Sequence, residues 1–134
     1  MVGVVIASHG RLAEELIRTA EGVVGPLQSV TAVAVSAAEP DSRGRIAEAI
    51  ARVDLGEGVL LLTDLLGGSP TQLCLSFLAE RKVEVVTGVN LPMVLKAISI
   101  RQNPLPIGEM AAQIAESARK SIGHASLELR KAMR

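Results

Sequence analysis

Aromatic residues and cysteine are almost absent from this chain of 134 residues. Trp and Tyr do not occur, and Phe77 and Cys74 are the only phenylalanine and the only cysteine. A single cysteine excludes an internal disulfide and a zinc site built on cysteines, and it fits a reducing compartment. Because aromatic stacking platforms are missing and 14 Lys and Arg balance 14 Asp and Glu, we expect no nucleic-acid-binding surface.

Long hydrophobic runs are missing as well. No apolar stretch approaches the roughly 20 residues of a membrane-spanning helix, and no basic region precedes the short apolar run at the N-terminus, as it would in a signal peptide. We therefore expect a soluble, cytoplasmic protein that is not inserted directly into a membrane. Since 49% of the residues are nevertheless hydrophobic, Val, Leu, Ile and Ala must build the core of a single domain over residues 1–134.

Short β-branched runs alternate with segments of helical spacing along the chain. They predict strands at 2–7, 30–35, 59–63 and 83–87, and helices at 11–24, 42–52, 69–80, 92–100 and 108–122. This alternation predicts an α/β fold with three αβα layers around a central, mainly parallel four-stranded sheet. The tail at 123–134 fits a helix by its composition and an edge strand by the alternation of Ala125, Leu127 and Leu129, so both remain open here.

Polar residues follow three of the predicted strands at one edge of the sheet. His9 follows the first strand, Asp64 the third and Asn90 the fourth. Because ligands bind beyond the carboxyl ends of parallel strands, a single site is the simplest interpretation. Histidine offers a neutral, nucleophilic nitrogen near pH 7, and Gly10 beside it would let a partner come close. An aspartate that accepts a hydrogen bond from Nδ1 would leave Nε2 free to attack.

The segment Gly67-Gly68-Ser69-Pro70 adds a place for one phosphoryl group. Its hydroxyl and amides lie at the start of a predicted helix, which suits an anion. The sequence contains neither the P-loop pattern nor GxGxxG, so we expect no nucleotide cofactor. Arg11 is a weaker candidate for the same site, and Asn90 is expected first to cap the helix that follows it and is a weaker candidate for the site. The remaining basic residues of interest are expected on a solvated helix face, namely Arg43, Arg45 and Arg52.

Three motifs together resemble the IIA component of the mannose-family sugar phosphotransferase system. They are Ser8-His9-Gly10, the segment TDLLGGSP at 63–70, and GVNLPM at 88–93, and the likeness covers about residues 1–120. The resemblance implies that His9 accepts a phosphoryl group from the phosphocarrier protein HPr and passes it to a IIB component. It further implies that Asp64 orients His9, that Gly67, Gly68 and Ser69 hold the phosphoryl group, and that no metal or cofactor takes part.

The resemblance also implies a homodimer that exchanges C-terminal strands, which would make the tail a strand. The chain departs from the family pattern at two places. Leu65-Leu66 stands where members often carry an aromatic residue, so the partner-facing surface is expected to differ. The chain ends at Arg134 without the IIB domain that is fused to some members, so the IIB component is expected on a separate chain.

Other functions that use the same histidine remain open. A histidine-dependent phosphatase or mutase would need several arginines around the phosphate, and only Arg11 is near His9 in the sequence. A phosphotransfer subunit of dihydroxyacetone kinase shares the early histidine. The Gly-Gly-Ser-Pro loop, however, favours a IIA component of the sugar transport system over that subunit. A stand-alone regulatory phosphoprotein, whose phosphorylation at His9 is read by a target protein without sugar transport, would have the same site residues.

Overall fold

A computed structural model describes residues 1–134, and strands alternate with helices through most of the chain. The four strands are β1 (Gly3–His9), β2 (Val30–Val35), β3 (Val59–Thr63) and β4 (Val83–Val86). The six helices are α1 (Leu12–Val24), α2 (Ser42–Val53), α3 (Ser69–Leu75), α4 (Leu91–Ile100), α5 (Ile107–Lys120) and α6 (Ala125–Ala132). Every strand and helix predicted up to residue 122 is present, with ends shifted by a few residues. No helix is long and apolar enough to cross a membrane.

The strands form one parallel sheet in the order β2-β1-β3-β4. The chain moves from β1 outward to β2 and then returns to place β3 on the other side of β1. The boundary between β1 and β3 is therefore the point at which strand order reverses, where open parallel sheets bind ligands. His9 is the last residue of β1 and Asp64 directly follows β3, so the fold brings these two residues to that boundary.

Helices cover both faces of the sheet and give the predicted three layers. One core packs α1, α4 and α5 against the sheet, and the other packs α2 and α3 against its opposite face. Successive residues of β3 alternate between the two cores: Leu60 and Leu62 lie in the first, and Val59 and Leu61 in the second. All five residues of β3 are buried, which explains why its sequence is a continuous apolar run ending in a threonine.

Helix α3 ends at Leu75, although its pattern predicts a helix to about Glu80. From Phe77 to Glu80 the backbone hydrogen bonds reach the residue three positions back, as in Phe77 N–H to Cys74 O at 3.1 Å and Leu78 N–H to Leu75 O at 3.2 Å. Bonds of this spacing form tight turns rather than an α-helix. The turns keep Phe77 buried in the second core.

The tail forms helix α6, so the strand implied by the family resemblance is wrong for this structure. Its Leu, Glu, Arg, Lys and Ala content favours a helix, and no strand of the sheet pairs with it. None of the residues of α6 is buried. The tail of this chain is thus a helix, and exchange of a C-terminal strand between two copies is not shown.

Candidate functional site

His9 and Asp64 form a hydrogen-bonded pair at the carboxyl edge of the sheet. The ring Nδ1 of His9 lies 2.9 Å from Oδ2 of Asp64, and the backbone N–H of His9 donates to the same oxygen at 2.9 Å. A carboxylate can only accept hydrogen bonds, so the proton belongs to Nδ1 and the other ring nitrogen, Nε2, is unprotonated in the neutral ring. The His9 side chain is 51% exposed and that of Asp64 is 13% exposed. The histidine ring thus faces solvent, while the carboxyl group that contacts it is mostly buried.

The environment of Asp64 favours its charged form. Burial of the carboxyl raises its pKa, but hydrogen bonds from the backbone and ring of His9, together with attraction to that ring, lower the pKa below its ordinary value. The other carboxylate oxygen, Oδ1, is buried and has no hydrogen-bond partner. Both hydrogen bonds that His9 donates to this carboxylate therefore go to Oδ2, and they favour its charged form.

The glycines after Asp64 have different roles. Gly67 adopts a φ of +84°, which other residues rarely tolerate. Gly68 has an ordinary extended conformation, but a Cβ there would lie 3.0 Å from Cε1 of His9. The N–H of Gly68 already donates to the carbonyl of Leu65 at 3.1 Å. Gly68 therefore makes room for the histidine ring, and its amide is not free to bind an anion.

Two buried threonines fix the loop that carries Asp64. Thr71 Oγ1 donates to the carbonyl of Leu65 at 2.7 Å, and it lies 2.7 Å from Oγ1 of Thr63. Since Thr71 uses its proton on Leu65, Thr63 must be the donor in the contact between the two hydroxyls. These bonds tie the end of β3 to helix α3 across the loop. Neither threonine was a candidate from the sequence, and Thr71 lies in a helical pattern that gives no local signal of this role.

A third supporting residue is Ser8, next to the histidine. Its side chain is fully buried, and Oγ accepts the backbone N–H of Ala13 at 2.8 Å. This bond satisfies one of the free N–H groups at the start of α1. Ser8 thereby fixes the turn in which Gly10 has a φ of +55°, and so sets the direction in which the chain leaves His9.

A cleft of about 570 Å³ opens beside the histidine. Its walls come from the end of β1, the loop after β2, the start of α2 and one side of α3. Its polar lining consists of His9, Ser36, Ser42, Arg43, Ser69, Gln72 and Ser76. The predicted candidates His9 and Ser69 therefore share one cavity, and the cavity also contains hydroxyl groups and a guanidinium that the sequence did not place there.

The weaker candidates lie apart from this cleft or have structural partners. Asn90 caps helix α4, because its Oδ1 accepts the N–H of Met93 at 2.9 Å, and it lines a separate cavity of about 200 Å³. Arg11 is 75% exposed and pairs with Glu14 and Glu15 on its own helix at 3.5 and 3.7 Å. The structure thus brings neither side chain into the cleft beside His9.

Comparison with known protein families gives one match that covers most of the chain. Residues 3–115 match the family model described as "PTS system fructose IIA component". The mannose-specific EIIAB component of Escherichia coli is 29% identical over 124 residues, which are 90% of this chain and 38% of that protein. The chain therefore spans well under half of that relative. The fructose-specific EIIA component of Bacillus subtilis is 28% identical over 77% of this chain and 73% of its own length.

Solved structures give the same result for the fold. The EIIA phosphotransferase component from Streptococcus agalactiae superposes with a TM-score of 0.83 at 24% identity, covering 95% of this chain and 99% of that one. The IIA protein associated with the fucose utilization operon of Streptococcus pneumoniae superposes with a TM-score of 0.81 at 29% identity, covering 96% and 99%. The motifs, the site at the end of β1 and these matches agree, and the chain belongs to the mannose family of EIIA components of the sugar phosphotransferase system.

Proposed function

We propose that this chain carries a phosphoryl group on Nε2 of His9, accepting it from phospho-HPr and passing it to a IIB component. The observation that carries the proposal is the contact of 2.9 Å between Nδ1 of His9 and Oδ2 of Asp64. This contact supports Nε2 as the attacking atom, because it engages Nδ1 and leaves Nε2 without a proton in the neutral ring. The membership in the EIIA family supports the same role.

The transfer reaction uses the lone pair of Nε2. This lone pair attacks the phosphorus atom of the donor's phosphohistidine, a P–N bond to His9 forms, and the donor's P–N bond breaks. The electron pair of the broken bond stays on the donor's ring nitrogen. Transfer onward to IIB repeats these steps with His9 as the donor. Since donor and acceptors are protein side chains of similar transfer potential, the reaction calls for no cofactor, and catalysis consists of positioning and charge stabilisation.

Asp64 balances the charge that the reaction creates on the ring. His9 keeps the proton on Nδ1, so the ring becomes a positively charged phosphoimidazolium once Nε2 bonds to phosphorus. The carboxylate of Asp64 already contacts that proton, and its lowered pKa keeps it ionised. An ionised carboxylate next to the developing positive charge stabilises it without any rearrangement.

The start of α3 would hold the oxygens of the phosphoryl group. Ser69 is exposed and lines the cleft with His9. The first N–H groups of a helix lack partners within the helix, and the open conformation at Gly67 exposes backbone beside them. We assign this part of the site to Ser69 and the loop at Gly67, with Gly68 providing space.

We further propose that the protein acts in the cytoplasm as a homodimer. Helix α6 has eight residues and none of them is buried, whereas isolated helices shorter than about 12 residues are marginal in water. A contact with a second copy would stabilise it. Leu129 and Met133 are 62% and 76% exposed and supply an apolar surface for that contact.

Labelling with phospho-HPr tests the proposed function. We expect wild-type protein to gain one acid-labile, base-stable phosphoryl group, and His9→Ala to gain none while its circular dichroism is unchanged. His124→Ala is the matched control, because His124 is the only other histidine and precedes the exposed helix α6. Labelling that persists in His9→Ala, or that is lost in His124→Ala, would contradict the assignment.

A further inference from the structure

Arg43 is exposed, as its sequence context predicts, and it also lies in the wall of the cleft beside His9. Its Nε donates to Oγ of Ser76 at 3.0 Å, and one Nη donates to Oε1 of Glu80 at 3.0 Å. The guanidinium also lies 4.2 Å from the ring centre of Phe77. These three contacts hold the arginine across the gap between α2 and the end of α3. The other Nη takes part in neither of these hydrogen bonds, and Arg43 is among the residues that line the cleft.

The charged side chains around the cleft determine how it acts on an anionic partner. Arg43 is the only Lys or Arg among the residues that line it, and no Asp or Glu lines it. The carboxylate nearest to the reacting histidine is Asp64, which repels an anion that approaches His9. Arg11 is paired with acidic residues of its own helix and is not part of the lining. The cleft therefore has one source of positive charge.

We propose that Arg43 is a specificity-determining residue that attracts the phosphorylated form of the donor in preference to the unphosphorylated form. The inference rests on the proposed function. Any donor must bring a phosphoryl group with close to two negative charges into the cleft, and this group is what distinguishes it from the spent donor. A positive charge in a confined cleft raises the rate of association of an anionic partner, and salt weakens the effect.

The ion pair with Glu80 does not cancel this effect. The side chains of Arg43 and Glu80 are 44% and 58% exposed, and exposed pairs are strongly screened by water. Glu80 also lies outside the lining of the cleft. The carboxylate of Glu80 partly offsets the positive charge of Arg43. Removal of that carboxylate should therefore strengthen the attraction of an anion to the cleft.

This arrangement lets two variants separate charge from mechanical support. Arg43→Gln and Glu80→Gln both break the same ion pair. If Arg43 only braced α3 against α2, both variants would slow phosphoryl transfer. If its charge recruits the phosphorylated donor, the two variants should act in opposite directions. The measurement is kcat/KM for phosphorylation of His9 by phospho-HPr, together with KM and kcat separately.

At low ionic strength we expect Arg43→Gln to lower kcat/KM about tenfold, mainly through KM. Glu80→Gln should leave kcat/KM unchanged or raise it, and Arg43→Lys should keep most of the wild-type value because the charge is retained. The matched control is Arg52→Gln, which also removes an arginine of α2 paired with a glutamate, here Glu48 at 3.2 Å. It should stay within about twofold of wild type, since an exposed pair away from the cleft contributes little.

The salt dependence completes the test. Between about 0.01 and 0.15 M ionic strength the screening length falls from about 30 to 8 Å, and the difference between wild type and Arg43→Gln should shrink with it. Equal kcat/KM for the two proteins, or an equal, salt-independent slowing by Arg43→Gln and Glu80→Gln, would overturn the inference. Either result with normal labelling of wild-type His9 would leave the proposed function intact, whereas absence of wild-type labelling would refute the proposed function itself.

Discussion

A single oxygen of Asp64, Oδ2, accepts two hydrogen bonds from His9, one from the backbone N–H and one from ring Nδ1, each of 2.9 Å. The last peptide of β1 and the imidazole are thus fixed by the same atom. The loop after β3 sets the position of that atom, and the Thr63–Thr71 hydroxyl contact of 2.7 Å holds the loop. The position of the His9 ring relative to the cleft is therefore determined by the packing of β1 against β3.

Replacement of Asp64 by asparagine should slow phosphoryl transfer without unfolding the protein. An amide oxygen can still accept a hydrogen bond from His9, but it carries no charge to stabilise the phosphoimidazolium. We expect the rate of transfer from phospho-HPr to fall about 10- to 100-fold, by analogy with the loss caused by removing the hydrogen-bond partner of a metal-binding histidine. Rapid-quench labelling of His9 would measure it. A wild-type rate in Asp64→Asn would show that the carboxylate is only structural.

The lowered pKa of Asp64 also predicts how stability depends on pH. A carboxyl whose pKa is lower in the folded protein contributes stability above its ordinary pKa of 3.8, and this contribution is lost as pH falls through the folded pKa. Wild type should therefore exceed Asp64→Asn in free energy of unfolding by about 1 kcal/mol at neutral pH, and the gap should close below about pH 4. Urea titrations over a pH series measure this gap. A gap of equal size at pH 3 and pH 7 would contradict the prediction.

Substitution of Gly68 by alanine should impair transfer by displacing the histidine ring. The backbone conformation at Gly68 is open to any residue, but the new Cβ would lie 3.0 Å from Cε1 of His9 and 3.3 Å from the carbonyl oxygen of Leu65. A shift of a few tenths of an ångström would lengthen the contact with Asp64. We expect a loss of transfer rate of about tenfold, because small misplacements of reacting groups are costly.

Gly22→Ala is the control for this substitution. Gly22 lies within α1, and a Cβ there meets no other atom within 4 Å. Alanine should stabilise that helix by roughly 0.5–1 kcal/mol and leave the transfer rate unchanged. If Gly68→Ala transfers at the rate of Gly22→Ala, the space at Gly68 is not needed by the histidine.

The sequence predicts the position of those site residues that directly follow a strand. His9 and Asp64 follow buried strands of a repeating β-α pattern, and parallel strands place their carboxyl ends at one edge. That rule brings both residues to the same edge without any knowledge of the contacts between them. The strands themselves are clear because runs such as Val59–Thr63 are apolar on both faces.

A role that depends on contacts between segments far apart in the sequence cannot be predicted from the ends of strands. Arg43 lies 33 positions from Ser76 and 37 from Glu80, and on α2 alone it is one of three arginines. The role of Arg43 in the cleft depends on how α2 packs beside the turns that follow α3. Those turns lie where the sequence pattern predicts that the helix continues to Glu80. Asn90 differs from His9 and Asp64. It also follows a strand, but its side chain caps helix α4 and does not line the cleft.

Removal of the tail tests the proposed homodimer. Helix α6 exposes Leu127 and Leu129, and Ile122 before it is 78% exposed. Strand β4 is an open edge of the sheet beside a cavity of about 480 Å³ that Leu66 and Leu75 help to line. Open edges and exposed apolar helices are commonly covered by another chain, so we expect the full-length protein to be a dimer at micromolar concentration.

A chain that ends at Gly123 should become monomeric, aggregate or lose stability, as followed by light scattering and thermal unfolding. A monomeric full-length protein would refute the dimer, and an unchanged, equally stable dimer after truncation would place its interface elsewhere, with the open sheet edges at β4 and β2 as the remaining candidate surfaces.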